Sequence, residues 1–239
     1  MPRVSNSAAD RAGEVWRAYM THDLLPDDMP EDERRRLIDA FNAINKYRAM
    51  HADPLGRTWM GVRSMVRTAT RVDNLRPGQR FKRLDRILGK LIRHPRMRLS
   101  QMEDIGGCRV IVPTLGQVAA VVARMRHNWA DSRVIDYIAN PKEDGYRGMH
   151  VIHRRSGRLI EVQVRTTGQH EWAETIEVFS PRLGYNLKDG AGPDDLRDYF
   201  RQAAARIARH EAGEGPDRVA EERFATLRQQ VLHYFQRNP

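Results

Sequence analysis

Two short segments carry the acidic and polar side chains that could do chemistry. Asp104 stands directly before an apolar, β-branched run, and Glu161, Gln163 and Arg165 alternate with valines further along the chain. Alternation places those three polar side chains on one face of a strand and the valines on the other. Phosphoryl transfer needs acidic groups that hold a metal, cations around the phosphates and a group that orients the attacking hydroxyl. Taken alone, each segment also fits a turn or an exposed strand face; together they predict a nucleotide-transfer site.

The glycine-rich loop between these segments, residues 140–150, supplies an aromatic ring and a cation. Gly145 and Gly148 bracket Tyr146, so we expect its ring to stand free of its own backbone and to stack on a nucleotide base. Lys142 adds a positive charge to the same loop. An ordinary hairpin tip rarely needs such an aromatic residue, so the loop predicts base recognition.

The histidines and the cysteine point away from a zinc or disulfide site. His150 and His170 lack a third His or Cys at the spacing that zinc requires, so we interpret them as hydrogen-bond donors or core residues. A single cysteine excludes an internal disulfide. That cysteine, Cys108, lies in an apolar run and is predicted to pack in the core.

The net charge of +10 at pH 7 comes from one part of the chain. Residues 46–100 hold 15 Lys and Arg against 3 Asp and Glu, a net charge of +12, whereas residues 1–45 carry −3 and residues 101–239 carry +1. Such a block attracts polyphosphate or a nucleic-acid backbone, and a solvated helix surface has the same composition. Because the block leads directly into Asp104, we favour the phosphate interpretation.

Hydrophobicity predicts no membrane partner. No apolar run approaches the ~18 to 20 residues that span a bilayer, and residues 1–20 lack the apolar centre of a secretion signal. We therefore expect a cytoplasmic protein.

Hydrophobic periodicity predicts an α/β (α+β) fold, a mixed β-sheet flanked by helices with N- and C-terminal helical additions. Helices are expected at about 8–20, 31–50, 54–72, 83–93, 115–128, 167–178, 194–212 and 217–236. Strands are expected at Cys108–Val112, Val134–Ile138, Met149–His153 and Leu159–Val164, with a turn at Ser156-Gly157 between the last two. We divide the chain into an N-terminal helical layer (1–45), a central domain (46–190) and C-terminal helices (191–239).

Five motifs, in order, resemble the synthetase domain of the RelA/SpoT family, whose enzymes move pyrophosphate from ATP to a ribose 3′-hydroxyl. They are Arg80-Phe81-Lys82, Asp104 to Arg109, Pro141 to His150, Glu161 to Thr166, and His170 to Ala173. One departure lies on the ATP side, where Arg86-Ile87 replaces the Ser-Ile common in the family. Arg86 either adds a cation near ATP or turns outward.

This resemblance implies a nucleotidyltransferase-like mixed sheet and a Mg²⁺ ion held by Asp104 with help from Glu161. It also implies that Glu161 activates or orients the 3′-hydroxyl, so that Asp104 and Glu161 form the catalytic pair. The implied ATP-binding residues are Arg80, Lys82, Lys90 and Arg109. The implied acceptor-binding residues are Lys142, Tyr146, which stacks on the base, His150, Gln163, Arg165 and His170.

The acceptor stays open between two kinds of molecule. A small alarmone synthetase pyrophosphorylates GDP or GTP to give (p)ppGpp, whereas a toxin-type member modifies the 3′-terminal adenosine of tRNA, inhibits translation and pairs with a neutralising antitoxin. The basic block 46–100 suits a tRNA backbone, but ATP alone accounts for several of its cations. We place the guanosine nucleotide first because it is the commoner activity of the fold.

Two further expectations concern whether the protein is catalytically active and whether it contains a hydrolase domain. A catalytically silent nucleotide or RNA sensor would lack Asp104, Glu161 or Tyr146, and all three are present. The pair His22-Asp23 is interpreted as a loop pair and not as the metal motif of a hydrolase domain. We therefore expect a stand-alone synthetase with no hydrolase domain.

Overall fold

The structure is a computed structural model, and it describes residues 3–20, 29–71, 78–185, 187 and 190–237. The predicted loop pair His22-Asp23 lies outside the described residues. Within the described ranges, no helix has both the length and the apolar character to cross a membrane.

Helices and strands follow the predicted order, with one added strand. The helices are α1 (Asn6–Met20), α2 (Glu31–Ala49), α3 (Ala52–Thr70), α4 (Leu84–Arg93), α5 (Leu115–Asn128), α6 (Thr167–Arg182), α7 (Asp194–Glu211) and α8 (Arg218–Arg237). The strands are β1 (Gly78–Phe81), β2 (Gly106–Val112), β3 (Arg133–Asp136), β4 (Met149–Arg155) and β5 (Arg158–Thr166). Strand β1 was not predicted, because its four residues show no apolar alternation and become a strand only by pairing with β2.

The five strands form one mixed sheet in the order β1-β2-β5-β4-β3. Strand β2 runs parallel to β5, and the other neighbours are antiparallel. The β4–β5 hairpin turns at Ser156 and Gly157, whose φ angles of 50° and 76° are those of a tight hairpin turn. The predicted fold class, a mixed sheet flanked by helices, is confirmed.

The sheet has one apolar and one polar face. Val110, Val162 and Val164 are fully buried with residues of α3 and α5 in the main core. Cys108 lies in the same core, and burial raises the pKa of its thiol to about 12, so it is a packing residue. Since side chains alternate along a strand, the opposite face carries Glu161 and the polar residues two and four positions after it. That face holds the candidate site.

The N-terminal helices form a second core that is tied to the hairpin by one arginine. Helices α1, α2 and α4 pack together around Ile44 and Leu91. From β5, the buried guanidinium of Arg158 donates to Asn6 Oδ1 at 2.6 Å and to the Val4 carbonyl at 3.0 Å, and lies 4.3 Å from the centre of the Tyr47 ring. The start of the chain is therefore anchored to the sheet.

Candidate active site

Asp104 is held between two lysines at the start of β2. Lys82 Nζ lies 2.6 Å from Asp104 Oδ2, and Lys90 Nζ lies 3.1 Å from Oδ1. Lys82 directly follows the edge strand β1, where its backbone N–H donates to the Ile105 carbonyl at 2.9 Å, and Lys90 comes from α4. Burial raises the pKa of the Asp104 carboxyl, but the two ammonium groups outweigh burial and the net shift is downward. Asp104 is therefore ionised at neutral pH.

A closed ring of hydrogen bonds joins the polar face of β5 to the 140–150 loop. Glu161 Oε1 lies 2.8 Å from His150 Nδ1, and His150 Nε2 lies 2.6 Å from the Tyr146 hydroxyl. Arg165 Nε donates to the same hydroxyl at 3.0 Å. Arg165 also donates to Gln163 Oε1 at 2.6 Å, and Gln163 Nε2 donates to Glu161 Oε2 at 2.7 Å, which closes the ring. Each polar residue predicted on this strand face is a member.

One assignment of protons satisfies every contact in this ring. His150 Nδ1–H donates to Glu161, and Nε2 accepts from the Tyr146 hydroxyl. Burial raises the pKa of Glu161, but hydrogen bonds, first that from His150, outweigh it and lower the pKa overall. Burial raises the pKa of Tyr146 to about 12 against the influence of Arg165. The site thus pairs an anionic carboxylate with a neutral phenol.

Two arginines predicted to bind ATP are held by α6. Arg109 donates to Glu174 Oε1 at 2.5 Å, and Arg80 donates to Glu177 Oε1 at 3.4 Å. The two glutamates are one helical turn apart, so they face the same side. His170 lies on that side too, with Nδ1 4.0 Å from Glu174 Oε1. The structure therefore places His170 beside Glu174, the partner of Arg109, and not in the hydrogen-bonded ring.

The roles of Glu174 and Glu177 were missed from the sequence. The signal was present in the spacing His170, Glu174, Glu177, which puts all three on one face of a helix. The orientation of Arg86, which replaces the serine common in the family pattern, follows from its exposure. Its side chain is largely exposed and lies 3.9 Å from Asp85 on the same helix, so it is turned outward.

The ring of Tyr146 is not free, contrary to the expectation from its flanking glycines. Only 7% of the residue is exposed. Its ring centre is 5.7 Å from that of Tyr137 and 6.3 Å from that of Trp172. Lys142 Nζ and the Arg165 guanidinium carbon lie 5.1 and 4.8 Å from the ring centre. Tyr137 was not predicted to be part of the site, since it lies outside the glycine-rich loop.

Helix α7 explains why the ring is buried. At Gly145, where φ is 93°, a Cβ atom would lie 3.0 Å from Ala204 Cβ of α7. Arg201 Nε donates to the Glu143 carbonyl at 2.9 Å, and Trp172 Nε1 donates to the Phe200 carbonyl at 2.8 Å. Helix α7 therefore lies directly on the glycine-rich loop 140–150, called the acceptor loop below because it is predicted to bind the acceptor. Local sequence cannot indicate this contact.

The same helix also holds the start of α6. Thr166 and Gln169 form a capping box there, and both side chains donate to the Glu211 carboxylate, Gln169 Nε2 at 3.0 Å. Gly168 lies so close to α7 that a Cβ atom would be 2.9 Å from Ile207 Cγ2. Helix α7 thus positions two neighbouring parts of the site.

The predicted metal ligands fit a magnesium ion that is completed by substrate. Among the described residues, no group of three or more His, Cys, Asp or Glu side chains is arranged to hold a metal. Mg²⁺ typically uses only one or two carboxylates, with substrate phosphates and water as its other ligands. Asp104 and Glu161 both have lowered pKa values, and Glu161 pairs in register with Gly107, three residues after Asp104. They are therefore two anionic carboxylates of the kind that Mg²⁺ uses.

A cleft of about 440 Å³ continues along the polar face of the sheet beyond Glu161. Ile152, the partner of Glu161 in the β4–β5 pairing, lines it together with Leu159. Arg133 and Arg154 lie at its wall. Its volume is in the range of ligand pockets.

Part of the basic block lies on the far side of the molecule from this cleft. Arg63, Arg67 and Arg71, spaced four residues apart in this block, are exposed. They belong to α3 or directly follow it, and α3 covers the valine face of the sheet. These three arginines are therefore separated from Glu161 by the sheet.

Comparison with known proteins agrees with this architecture. Residues 79–179 match the family model described as "Region found in RelA / SpoT proteins". An uncharacterised protein of Mycobacterium tuberculosis is 28% identical over 171 residues, 66% of this chain and 59% of that protein. The GTP pyrophosphokinase YwaC of Bacillus subtilis is 28% identical over 141 residues, covering 52% of this chain and 64% of YwaC. This chain thus spans about three fifths of its M. tuberculosis relative.

The fold has a solved counterpart. The crystal structure of small alarmone synthetase 1 from Bacillus subtilis, bound to its product pppGpp, superposes with a TM-score of 0.55 at 22% identity, covering 70% of this chain and 90% of the other. The sheet and its flanking helices therefore share the fold of that structure. Residues 79–179, less than half of the chain, are therefore similar to the region found in RelA/SpoT proteins.

Proposed function

We propose that the protein transfers the β,γ-pyrophosphate of ATP to a ribose 3′-hydroxyl, with GDP or GTP as the acceptor and (p)ppGpp as the product. The observation that carries this proposal is the hydrogen-bonded ring between Glu161 and Tyr146. It connects a carboxylate suited to a hydroxyl group with an aromatic ring suited to a base. The distance between the two is spanned by one imidazole.

Glu161 acts mainly by orienting the acceptor hydroxyl. Its lowered pKa makes it anionic and hence a weak base at neutral pH. The 3′-oxygen attacks the β-phosphorus, the bond between that phosphorus and the α-phosphate bridging oxygen breaks, and AMP leaves; the hydroxyl proton passes through Glu161 to solvent. Positioning and electrostatic stabilisation supply most of the rate in such transfers.

The cations around Asp104 and on β1 and β2 receive the triphosphate. Lys82 and Lys90 now neutralise Asp104, and polyphosphate brings further negative charge for their ammonium groups. Arg80 and Arg109 present two guanidiniums held by α6, which suits bidentate phosphate contacts. Asp104 and Glu161 would hold Mg²⁺, which neutralises charge on the phosphates during transfer.

Related proteins support a guanosine acceptor. YwaC carries the name GTP pyrophosphokinase, and the B. subtilis synthetase of the same fold holds pppGpp. Lys142, Gln163, Arg165 and His170 are the side chains proposed to contact acceptor phosphate or ribose. Among these, Gln163 and Arg165 belong to the hydrogen-bonded ring.

A direct assay tests the reaction and its acceptor together. The protein is incubated with γ-labelled ATP and Mg²⁺, and GDP, GTP or bulk tRNA is offered separately. We expect label in GDP or GTP from the wild type and loss of at least about 100-fold in Asp104→Asn. Asp53→Asn, which removes an exposed ion pair with Arg57, is the matched control and should retain activity. Full activity of Asp104→Asn would refute the metal and site assignment.

A second acceptor is favoured by the cleft beyond Glu161. A mononucleotide needs only the stretch from Tyr146 to Glu161. The cleft offers Arg154 to a longer chain, whereas its other arginine, Arg133, is paired with Glu103. The alternative is therefore a toxin-type synthetase that modifies the 3′-terminal adenosine of tRNA, inhibits translation and is restrained by an antitoxin. Label in tRNA alone would establish this function in place of the first.

Charge reversal can then locate the tRNA surface. If the cleft guides tRNA, Arg154→Glu impairs labelling of tRNA far more than labelling of a mononucleotide. Reversal of Arg63, Arg67 and Arg71 tests instead a track over α3 on the opposite face. Equal effects of both sets on tRNA and on mononucleotides would speak against either track.

A further inference from the structure

We propose that Tyr137 is the second wall of the acceptor-base site and that the ammonium group of Lys142 fills this site until a base displaces it. The proposal rests on the proposed function and deepens it by naming a base-binding residue outside the glycine-rich loop. It is based on the corner that the rings of Tyr137 and Tyr146 form, in which the ammonium group of Lys142 lies.

The two rings meet nearly at right angles. The ring centres of Tyr137 and Tyr146 are 5.7 Å apart with 70° between their planes. Tyr137 directly follows β3, and its backbone N–H donates to the Gly148 carbonyl at 3.0 Å, so β3 and the acceptor loop are joined at this point. The Tyr137 ring also meets His150 edge-on at 5.0 Å. The corner is therefore built on the hydrogen-bonded ring that contains Glu161.

Lys142 occupies the corner. Its Nζ lies 4.8 Å from the centre of the Tyr137 ring and 5.1 Å from that of Tyr146. A cation at this distance from two aromatic faces is attracted by both ring quadrupoles. Within the described residues, no carboxylate forms an ion pair with this ammonium, whereas the ammonium groups of Lys82 and Lys90 both do. The rings are thus its principal partners.

A flat base fits this corner better than an ammonium group does. A purine parallel to the Tyr146 ring would place its edge against the face of Tyr137, which combines stacking with an edge-to-face contact. The Arg165 guanidinium lies 4.8 Å from the Tyr146 ring centre and is fixed by its bonds to Tyr146 and Gln163. Lys142 is exposed and has no such bonds, so it is the cation that leaves. Once free, it can meet the phosphates of the acceptor.

Tyrosine variants test the second wall. Tyr137→Leu keeps an apolar side chain but removes the ring, and we expect the KM for the acceptor to rise about ten-fold while the KM for ATP is unchanged. Tyr137→Phe should restore the wild-type KM. Tyr199→Leu is the matched control, since Tyr199 is also half-buried against the same core but stacks on Phe224 of α8. A wild-type acceptor KM in Tyr137→Leu would overturn the proposal.

Lysine NMR tests the displacement without turnover. The chain has five lysines, so ¹³C labelling at the lysine ε-carbon gives a small set of signals, and Lys142→Arg assigns one of them. In the free protein the Lys142 ε-protons should be shifted upfield by the two rings. Addition of GDP, or of a short RNA ending in CCA, without ATP should return the signal towards the other lysines. A signal that stays upfield at saturation would overturn the displacement.

The outcomes separate this inference from the function on which it rests. If the wild type transfers label while Tyr137→Leu retains wild-type constants, only the inference is wrong. If neither ligand binds the wild type and no label is transferred, both are wrong. Loss of structure in Tyr137→Leu would lower activity with every substrate and raise no single KM, and Tyr137→Phe then supplies the deciding comparison.

Discussion

Glu161 and Tyr146 contact opposite edges of the same imidazole. His150 Nδ1 lies 2.8 Å from the carboxylate, and His150 Nε2 lies 2.6 Å from the phenol. Because the imidazole is rigid, a displacement of the acceptor loop moves the histidine and with it the hydrogen bond to Glu161. Under the proposed function, His150 would therefore link recognition of the base at Tyr146 to orientation of the attacking hydroxyl at Glu161.

Replacement of His150 should break this link. In His150→Asn the shorter side chain cannot reach both partners, so we expect kcat to fall about 100-fold while the KM for ATP changes little, because misplacement of a reacting group by about 1 Å has an effect of that size. Steady-state kinetics with both substrates measures this. His153→Asn is the control, since His153 stacks on Trp129 on the other face of the sheet, 4.2 Å between ring centres. A wild-type kcat in His150→Asn would show that the contact is incidental.

A methyl group at Gly168 should separate α6 from α7. The added Cβ would lie 2.9 Å from Ile207 Cγ2, and overpacking of this kind costs about 1 to 3 kcal/mol. We expect Gly168→Ala to lower the Tm by roughly 2 to 10 °C and to weaken acceptor binding. Gly116→Ala is closely matched, because Gly116 is also the second residue of a helix but a Cβ there would approach nothing nearer than 3.9 Å. It should be neutral or slightly stabilising.

A rescue experiment distinguishes the steric cause from a local effect on α6. If Ile207 is the obstacle, Gly168→Ala combined with Ile207→Ala should recover acceptor binding even where part of the stability is lost. Failure of the double variant to recover acceptor binding would contradict the role given to α7.

Loss of the Arg158 guanidinium should destabilise the whole chain. In Arg158→Met the apolar stem stays, but Asn6 Oδ1 and the Val4 carbonyl lose a charged donor. Removal of one partner from such part-buried hydrogen bonds costs about 1 to 3 kcal/mol, which urea denaturation measures as a lower midpoint. Arg57→Met removes only an exposed pair with Asp53 and should change stability by less than about 0.5 kcal/mol. Equal midpoints for the two variants would contradict the anchoring role of Arg158.

The chain's local patterns predicted most elements because those patterns have fixed periods. The alternation from Glu161 to Arg165 placed these residues on the polar face, and the valines between them are fully buried. The helices followed from 3.6-residue spacing in the same way. Strand β1 carries no such period, and its strand conformation depends on its pairing with the distant strand β2, in which Gly78 lies opposite Arg109. The four residues of β1 therefore could not by themselves predict a strand.

The state of Tyr146 shows the other limit. The flanking glycines adopt a backbone conformation that favours glycine, with φ of 93° at Gly145 and 153° at Gly148. They carry no information on what covers the ring, which depends on Ala204 and Phe200 more than 50 residues later. Likewise, the contact between the Tyr137 and Tyr146 rings and the ion pairs of the two α6 glutamates depend on packing between distant elements. Motifs can identify the chemical groups of a site, but the neighbours that restrain them are set by tertiary structure.

Protonation of His51 should destabilise the folded protein at a higher pH than protonation of Asp104 and Glu161. His51 is 1% exposed, and its Nδ1 lies 3.0 Å from the Tyr47 carbonyl. Burial, and to a lesser extent the charge of Arg158, lower the pKa of His51 from 6.5 to about 4, against the effect of the hydrogen bond to Tyr47. In the unfolded chain the imidazole takes up a proton below pH 6.5, whereas the folded protein resists protonation down to about pH 4. The free energy of unfolding therefore falls as the pH falls through this window.

The expected loss is roughly 2 to 3 kcal/mol between pH 7 and pH 4, because the pKa of His51 is 6.5 in the unfolded chain and about 4 in the folded protein. Urea denaturation across this range measures it. His51→Gln should be less stable than the wild type at pH 7 but should show a flatter dependence on pH, because no imidazole titrates at this position. His127→Gln, which replaces an exposed histidine on α5, should keep the wild-type dependence. Asp104 and Glu161 have lowered pKa values, so their contributions are lost only at lower pH, and parallel curves for wild type and His51→Gln would show that His51 is not the titrating group.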